Sequence, residues 1–145
     1  MTVFKEMGSQ VDSAEFQIGL ARVLTVQGEL STAYALYLEI LILLNEIGNQ
    51  EPIPACLEGL GIVLAKQGAI KKAVQLWRRA DEIRQEIGAP LPPIYRTAYE
   101  REVTVARTQL GEKAFALAWA DPAPLTVTTL PLSWLTHNPV GIENR

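Results

Sequence analysis

Segments of this chain recur at a spacing of 40 residues, and that period constrains the fold more than any other feature. Glu46-Ile47-Gly48 returns as Glu86-Ile87-Gly88, Gln27-Gly28 as Gln67-Gly68, and Gly19-Leu20 as Gly59-Leu60. Val23, Leu24, Ala33 and Leu36 return as Val63, Leu64, Ala73 and Leu76, and Glu6-Met7-Gly8 falls in the same register. A fixed period between about 20 and 50 residues marks a stacked array, in which each unit buries its apolar face only against its neighbours. Such an array offers a surface rather than a catalytic cleft, so the expectation is a binding protein and not an enzyme.

Between the repeated glycines the apolar residues return at helical spacing. Phe16, Leu20, Val23 and Leu24 share one helix face, and Leu57, Leu60, Val63 and Leu64 do the same one unit later. Asp12 with Glu15 three residues on resembles a capping box. Gly28 and Gly68 stand where a left-handed C-cap is needed. Pro52, Pro54, Pro92 and Pro93 stand where new helices begin, and a first turn tolerates proline. The spacing predicts helices over 13–27, 30–47, 53–67, 70–87, 93–110 and 112–120. The fold class is therefore all-α: a helical repeat domain over 1–120, with units at about 13–48 and 53–88 and a degenerate unit at 93–120. Residues 1–8 read as the end of a helix whose unit has lost its first half, as in a piece of a longer array.

From Asp121 onward the pattern changes. Pro122, Pro124, Pro131 and Pro139 exclude a continuous helix. Leu125, Leu130, Leu132, Trp134 and Leu135 make the segment 121–145 too apolar for a simple disordered tail. Part of it is expected to lie along the helices.

The net charge of −3 argues against a general affinity for nucleic acid, which needs clustered positive charge. A single cysteine, Cys56, excludes an internal disulfide and fits a reducing, cytoplasmic setting. No signal peptide is visible in Met1 to Gln10. The longest apolar stretch, Ala33 to Leu44, falls short of the roughly 20 residues of a membrane span, so no membrane association is expected.

The second unit reads Leu57-x-x-Leu60-Gly61-x-x-Leu64, then Gly68, then Ala73-x-x-x-Trp77 and Ala80. The first reads Gln17-x-x-Leu20-Ala21-x-x-Leu24, then Gly28, then Ala33-x-x-x-Tyr37. This order resembles the tetratricopeptide signature, with units longer than the usual length of about 34 residues and without its terminal proline. Cys56-Leu57-Glu58-Gly59-Leu60, Ala80-Asp81-Glu82-Ile83-Arg84, Ile87-Gly88-Ala89-Pro90-Leu91-Pro92-Pro93, Gly111-Glu112-Lys113-Ala114-Phe115 and Ala118-Trp119-Ala120 follow in sequence. Together they are similar to the C-terminal repeats of large bacterial regulators that join an NTP-hydrolysing switch to a tetratricopeptide sensor array. Over residues 14–120 the resemblance implies stacked helical hairpins, an α-solenoid, acting as a sensor or scaffold segment of a signalling or transcriptional regulator. It transfers no catalytic residue and no cofactor.

Candidate chemistry is sparse. His137 is the one histidine and shares no ligand spacing with Cys56, so no metal is expected. Cys56 lies in a core register, where free cysteine is a small apolar filler. Lys71, Lys72, Arg78, Arg79 and Arg84 make the segment 71–84 basic, which supports an alternative as a nucleic-acid-associated helical domain. Asp81, Glu82 and Glu86 offset that charge, through pairs such as Arg78–Glu82 or Asp81–Arg84 at helical spacing. Gly59 and Gly61 lie inside a helical pattern with no preceding strand, which points to close helix packing rather than a nucleotide loop.

A binding groove is the more credible site. In tetratricopeptide arrays the first helix of each pair lines the concave face. By register that face carries Glu15, Ile18, Arg22 and Val26, then Ala55, Glu58, Ile62 and Lys66. Cations beside isoleucines suit an extended peptide or a partner helix. A second surface follows from comparing units. Where the second has Arg78, Arg79, Asp81, Glu82 and Arg84, the first has Leu38, Glu39, Leu41, Ile42 and Leu44. Tyr34, Leu38, Leu41 and Ile42 then form an apolar outward stripe, for which a second copy in a homodimer is the first expected cover, the chain's own tail through Leu132, Trp134 and Leu135 the second, and a missing upstream unit the third.

Overall fold

The computed structural model describes the backbone from Val3 to Ala120 and the side chains from Ser13 to Ala120. The described residues are all-helical: α1 (Val3–Val26), α2 (Leu30–Ile47), α3 (Ile53–Lys66), α4 (Ile70–Ile87), α5 (Pro93–Leu110) and α6 (Glu112–Ala120). The readings made for 121–145, His137 among them, lie outside the described residues.

The helix ends have local causes. Gly28 and Gly68 take φ of 84° and 94°, which only glycine adopts without strain. This lets the N–H of Glu29 reach the Leu24 carbonyl and that of Ala69 reach the Leu64 carbonyl, each at 2.8 Å. Prolines then forbid continuation: Pro52 and Pro92 occupy the N-caps of α3 and α5.

α1 departs from expectation. It runs unbroken from Val3, through Gly8 and Asp12, so the break at Gly8 and the start at Asp12 do not occur. Gly48 is followed within four residues by Pro52, and Gly88 within two by Pro90, whereas no proline follows Gly8 before Pro52. Glycine alone lowers helix propensity by about 1 kcal/mol, too little by itself to end a helix.

α2 lies against both α1 and α3, α3 pairs with α4, α5 rests on α3 and α4, and α6 rests on α4 and α5. Tyr37, Ile40, Leu44, Leu57, Leu60, Leu64, Leu76 and Trp77 form the centre of the core, each burial contributing about 1.5–3 kcal/mol. Small residues let the helices approach. Ala33 and Ala73 are fully buried. A methyl at Gly59 would strike the Tyr37 phenol, and one at Gly61 would strike the Trp77 indole, which accounts for glycine inside α3. Across the same contacts the Cys56 thiol donates to the Tyr37 carbonyl at 3.4 Å, and Trp77 Nε1 donates to the Glu58 carbonyl at 3.2 Å.

Two expectations about apolar faces are corrected. Tyr34 and Leu41 are buried within the single chain, Leu38 is partly buried against the core, and of the four only Ile42 is exposed. With α2 held between α1 and α3, no second copy is required to cover that stripe. Conversely Phe16, Leu20 and Val23, which share the apolar face of α1, are exposed. α2 also proves long and apolar enough, by length and composition alone, to cross a membrane, so the length argument against a span does not hold for the whole helix. In this fold α2 is a packed helix that buries Ala33, Tyr37, Ile40 and Leu44.

Candidate groove across three helices

α1, α3 and α5 contribute one wall each to a cavity of about 360 Å³. α1 supplies Arg22, Thr25 and Val26, and α3 supplies Glu58, Gly59, Ile62 and Lys66. α5 and its entry supply Leu91, Tyr95, Ala98, Tyr99, Arg101 and Glu102, and the Tyr37 ring is reached from α2. A second cavity of about 290 Å³ shares Arg22 and Tyr95 with the first and adds Glu15, Ile18 and Ala55. All eight groove residues chosen from the sequence line one or the other cavity. Their roles differ. Ile18 and Glu58 are buried in the floor, Arg22, Ala55 and Ile62 are half-buried, and Glu15, Lys66 and Val26 are exposed on the rim.

Several polar groups on this face are paired. The Arg22 guanidinium lies over the Tyr95 ring, 3.7 Å from its centroid, a cation–π contact that fixes the seam between the two cavities. Lys66 Nζ meets Glu102 Oε2 at 3.3 Å and ties α3 to α5. Glu58 holds Arg84 of α4 in a two-pronged pair, with Arg84 Nε to Oε2 at 2.6 Å and Nη2 to Oε1 at 2.9 Å. The same guanidinium donates to the Ala89 carbonyl at 3.1 Å, so one arginine pins the chain between α4 and α5. Glu58 is thus structural, not a free carboxylate facing a ligand.

Burial pushes the Tyr37 hydroxyl well above the ordinary phenol value. Burial does the same for Tyr99, aided by the nearby Glu58 and Asp81 carboxylates. Both therefore stay neutral. Burial also pushes the Cys56 thiol up, so it is protonated and far from nucleophilic. Among the described residues no group of three histidine, cysteine or acidic side chains converges as a metal ligand set.

The arginines of α4 are paired with carboxylates. Arg78 pairs with Glu82 at 3.1 Å, as the spacing predicts, and Arg79 meets Glu82 at 3.0 Å and Glu86 at 3.6 Å. The suggested Asp81–Arg84 pair does not form, because Arg84 turns inward to Glu58 and Asp81 accepts from Gln85 instead.

The α5 wall is absent from the sequence-based residue set. The signal was available: the register that selects 15 and 55, 18 and 58, 22 and 62 extends by the same 40 residues to Tyr95, Ala98 and Glu102. All three line the first cavity. The arginine reaching Glu58 from a different helix left no such trace.

No family model, curated protein or solved structure matches this chain.

Proposed function

We propose that this chain is a stacked-hairpin scaffold of tetratricopeptide type that recognises an extended protein segment along the α1–α3–α5 groove. What supports the reading is one observation: residues spaced 40 apart on three successive first helices, Arg22, Ile62 and Glu102 among them, border a common cavity. Stacked units with equivalent faces turned the same way form the extended binding surface of a repeat protein. The walls combine apolar area from Ile62, Val26, Leu91 and Ala98 with charged groups tied up in the Lys66–Glu102 and Glu58–Arg84 pairs, a mixture that suits recognition of an extended segment better than acid–base chemistry. Pairing of Arg78, Arg79 and Arg84 with carboxylates weighs against the nucleic-acid alternative, which needs clustered free positive charge. The resemblance to regulator repeats makes a sensor or scaffold role in a larger bacterial signalling protein the natural context.

Selection from a displayed random-peptide library tests this. Peptides enriched on the wild-type chain should lose binding to the variant Val26→Asp/Ile62→Arg. That variant changes a rim residue and a half-buried one without touching Glu58 or Arg84. Enriched peptides that bind the variant equally well would reject the groove.

A further inference from the structure

The exposed face of α1 has a covered counterpart inside the same molecule. Phe16 is 73%, Leu20 43% and Val23 51% exposed, an unusual concentration of open apolar area on one helix face. Forty residues later the equivalent positions are Cys56, Leu60 and Val63, all essentially fully buried in α3. α2 packs against α3, and one contact there is the Cys56 thiol on the Tyr37 carbonyl.

The repeat also shows how the covering helix is held. Tyr37 projects from α2 onto Gly59, where any side chain would collide with its ring. One unit on, Trp77 projects from α4 onto position 99, its ring edge-on to Tyr99 with centroids 5.9 Å apart. The aromatic of a second helix therefore meets position 59 or 99 of the following first helix. The remaining member of that series is Gly19, and nothing stands within 4 Å of the space above it. Gly19 is an open socket of the kind Tyr37 fills at Gly59, flanked by the exposed Phe16, Leu20 and Val23.

We propose that the α1 face formed by Phe16, Gly19, Leu20 and Val23 docks an amphipathic helix from another protein segment, one that presents an aromatic side chain to Gly19. The occupant's chemistry follows from α2 and α4: a small residue, Ala33 or Ala73, four positions before an aromatic, Tyr37 or Trp77, with apolar residues at the next helical turn. This is helix-on-helix packing through apolar ridges, with the aromatic as anchor. The face is distinct from the α1–α3–α5 groove, so either assignment can fail without the other.

The test uses the full chain, isotope-labelled for amide NMR, and as probe a synthetic peptide of the α4 sequence, residues 70–87. The expected result is saturable movement of the Phe16, Gly19, Leu20 and Val23 amides, with the Gly59 and Ile62 amides unmoved. Replacing the tryptophan of the peptide (Trp77→Ala) should weaken binding by about tenfold or more, because it removes the anchor. Gly19→Leu in the chain should weaken it to a similar extent, since leucine fills the socket, while leaving the melting temperature equal or higher. No saturable shift at peptide concentrations up to about 1 mM, or equal affinity for wild type and Gly19→Leu, would overturn the proposal. So would a wild-type chain that is dimeric and becomes monomeric on Leu20→Arg, because a second copy would then hold the face.

Discussion

Arg84 grips both carboxylate oxygens of Glu58 from the neighbouring helix, at 2.6 and 2.9 Å, with both side chains largely out of water. The pair joins α3 to α4, and through the Ala89 carbonyl it fixes where α5 begins. It therefore sets the width of the groove as well as the packing beneath it. Removing one partner leaves a charge without compensation inside the protein. Arg84→Met should cost about 3–5 kcal/mol, while replacing both residues with apolar ones of similar volume should cost much less. Urea unfolding of the two single variants and the double variant measures this. Additive losses would mean the pair is not coupled.

The two kinds of glycine in the first helices should respond in opposite directions. Gly61 faces the Trp77 indole with no room for a methyl, so Gly61→Ala should destabilise by about 1–3 kcal/mol through overpacking. Gly19 has open space above it inside a helix, so Gly19→Ala should stabilise by about 0.5–1 kcal/mol. Two thermal melts decide the matter, and the same sign in both would contradict the packing described.

Trp77 is fully buried and donates to the Glu58 carbonyl, which places it in the core rather than on a ligand. Trp77→Ala should cost about 3–5 kcal/mol. Ala73→Leu, one turn earlier on the same buried face, should cost about 1–3 kcal/mol by overpacking. A Trp77→Ala protein that melts like wild type yet loses a ligand would move the indole into a binding site.

Stability should fall on the alkaline side. Burial raises the Cys56 thiol, so the folded chain keeps a proton that the unfolded chain has lost. The folded state then binds more protons, and its advantage is full below the unfolded thiol value of about 8.5 and declines as pH rises past it. Tyr37 and Tyr99, raised in the same way, add to the decline above about pH 10. Urea midpoints taken from neutral to alkaline pH should show this fall, with a shallower first part in Cys56→Ala. A flat profile would contradict the burial of these groups.

Most of the helical framework was legible because the glycine and proline punctuation repeats with the apolar period. α2, α4, α5 and α6 begin and end at the expected residues, and α3 ends at Lys66, one residue early. The start of α1 was not legible. Gly8 imitates the register of Gly48 and Gly88, but without a following proline it lacks what stops a helix there. The α2 stripe was misread because a charged residue in one repeat does not make the same face of another solvent-exposed. Tyr34 and Leu41 are buried although Glu39 between them is not. The Glu58–Arg84 pair joins residues 26 apart in sequence, a separation that no helical or repeat period links.

On the proposed function, the α1–α3–α5 face is where this chain meets its partner. The most direct measurement is an amide-shift map of the labelled full chain, titrated with a peptide selected on the wild type. The largest shifts are expected on Arg22, Val26, Ile62, Tyr95 and Ala98, one wall from each of three helices. Shifts confined to the outer face of α4, around Arg78 and Glu82, would contradict it.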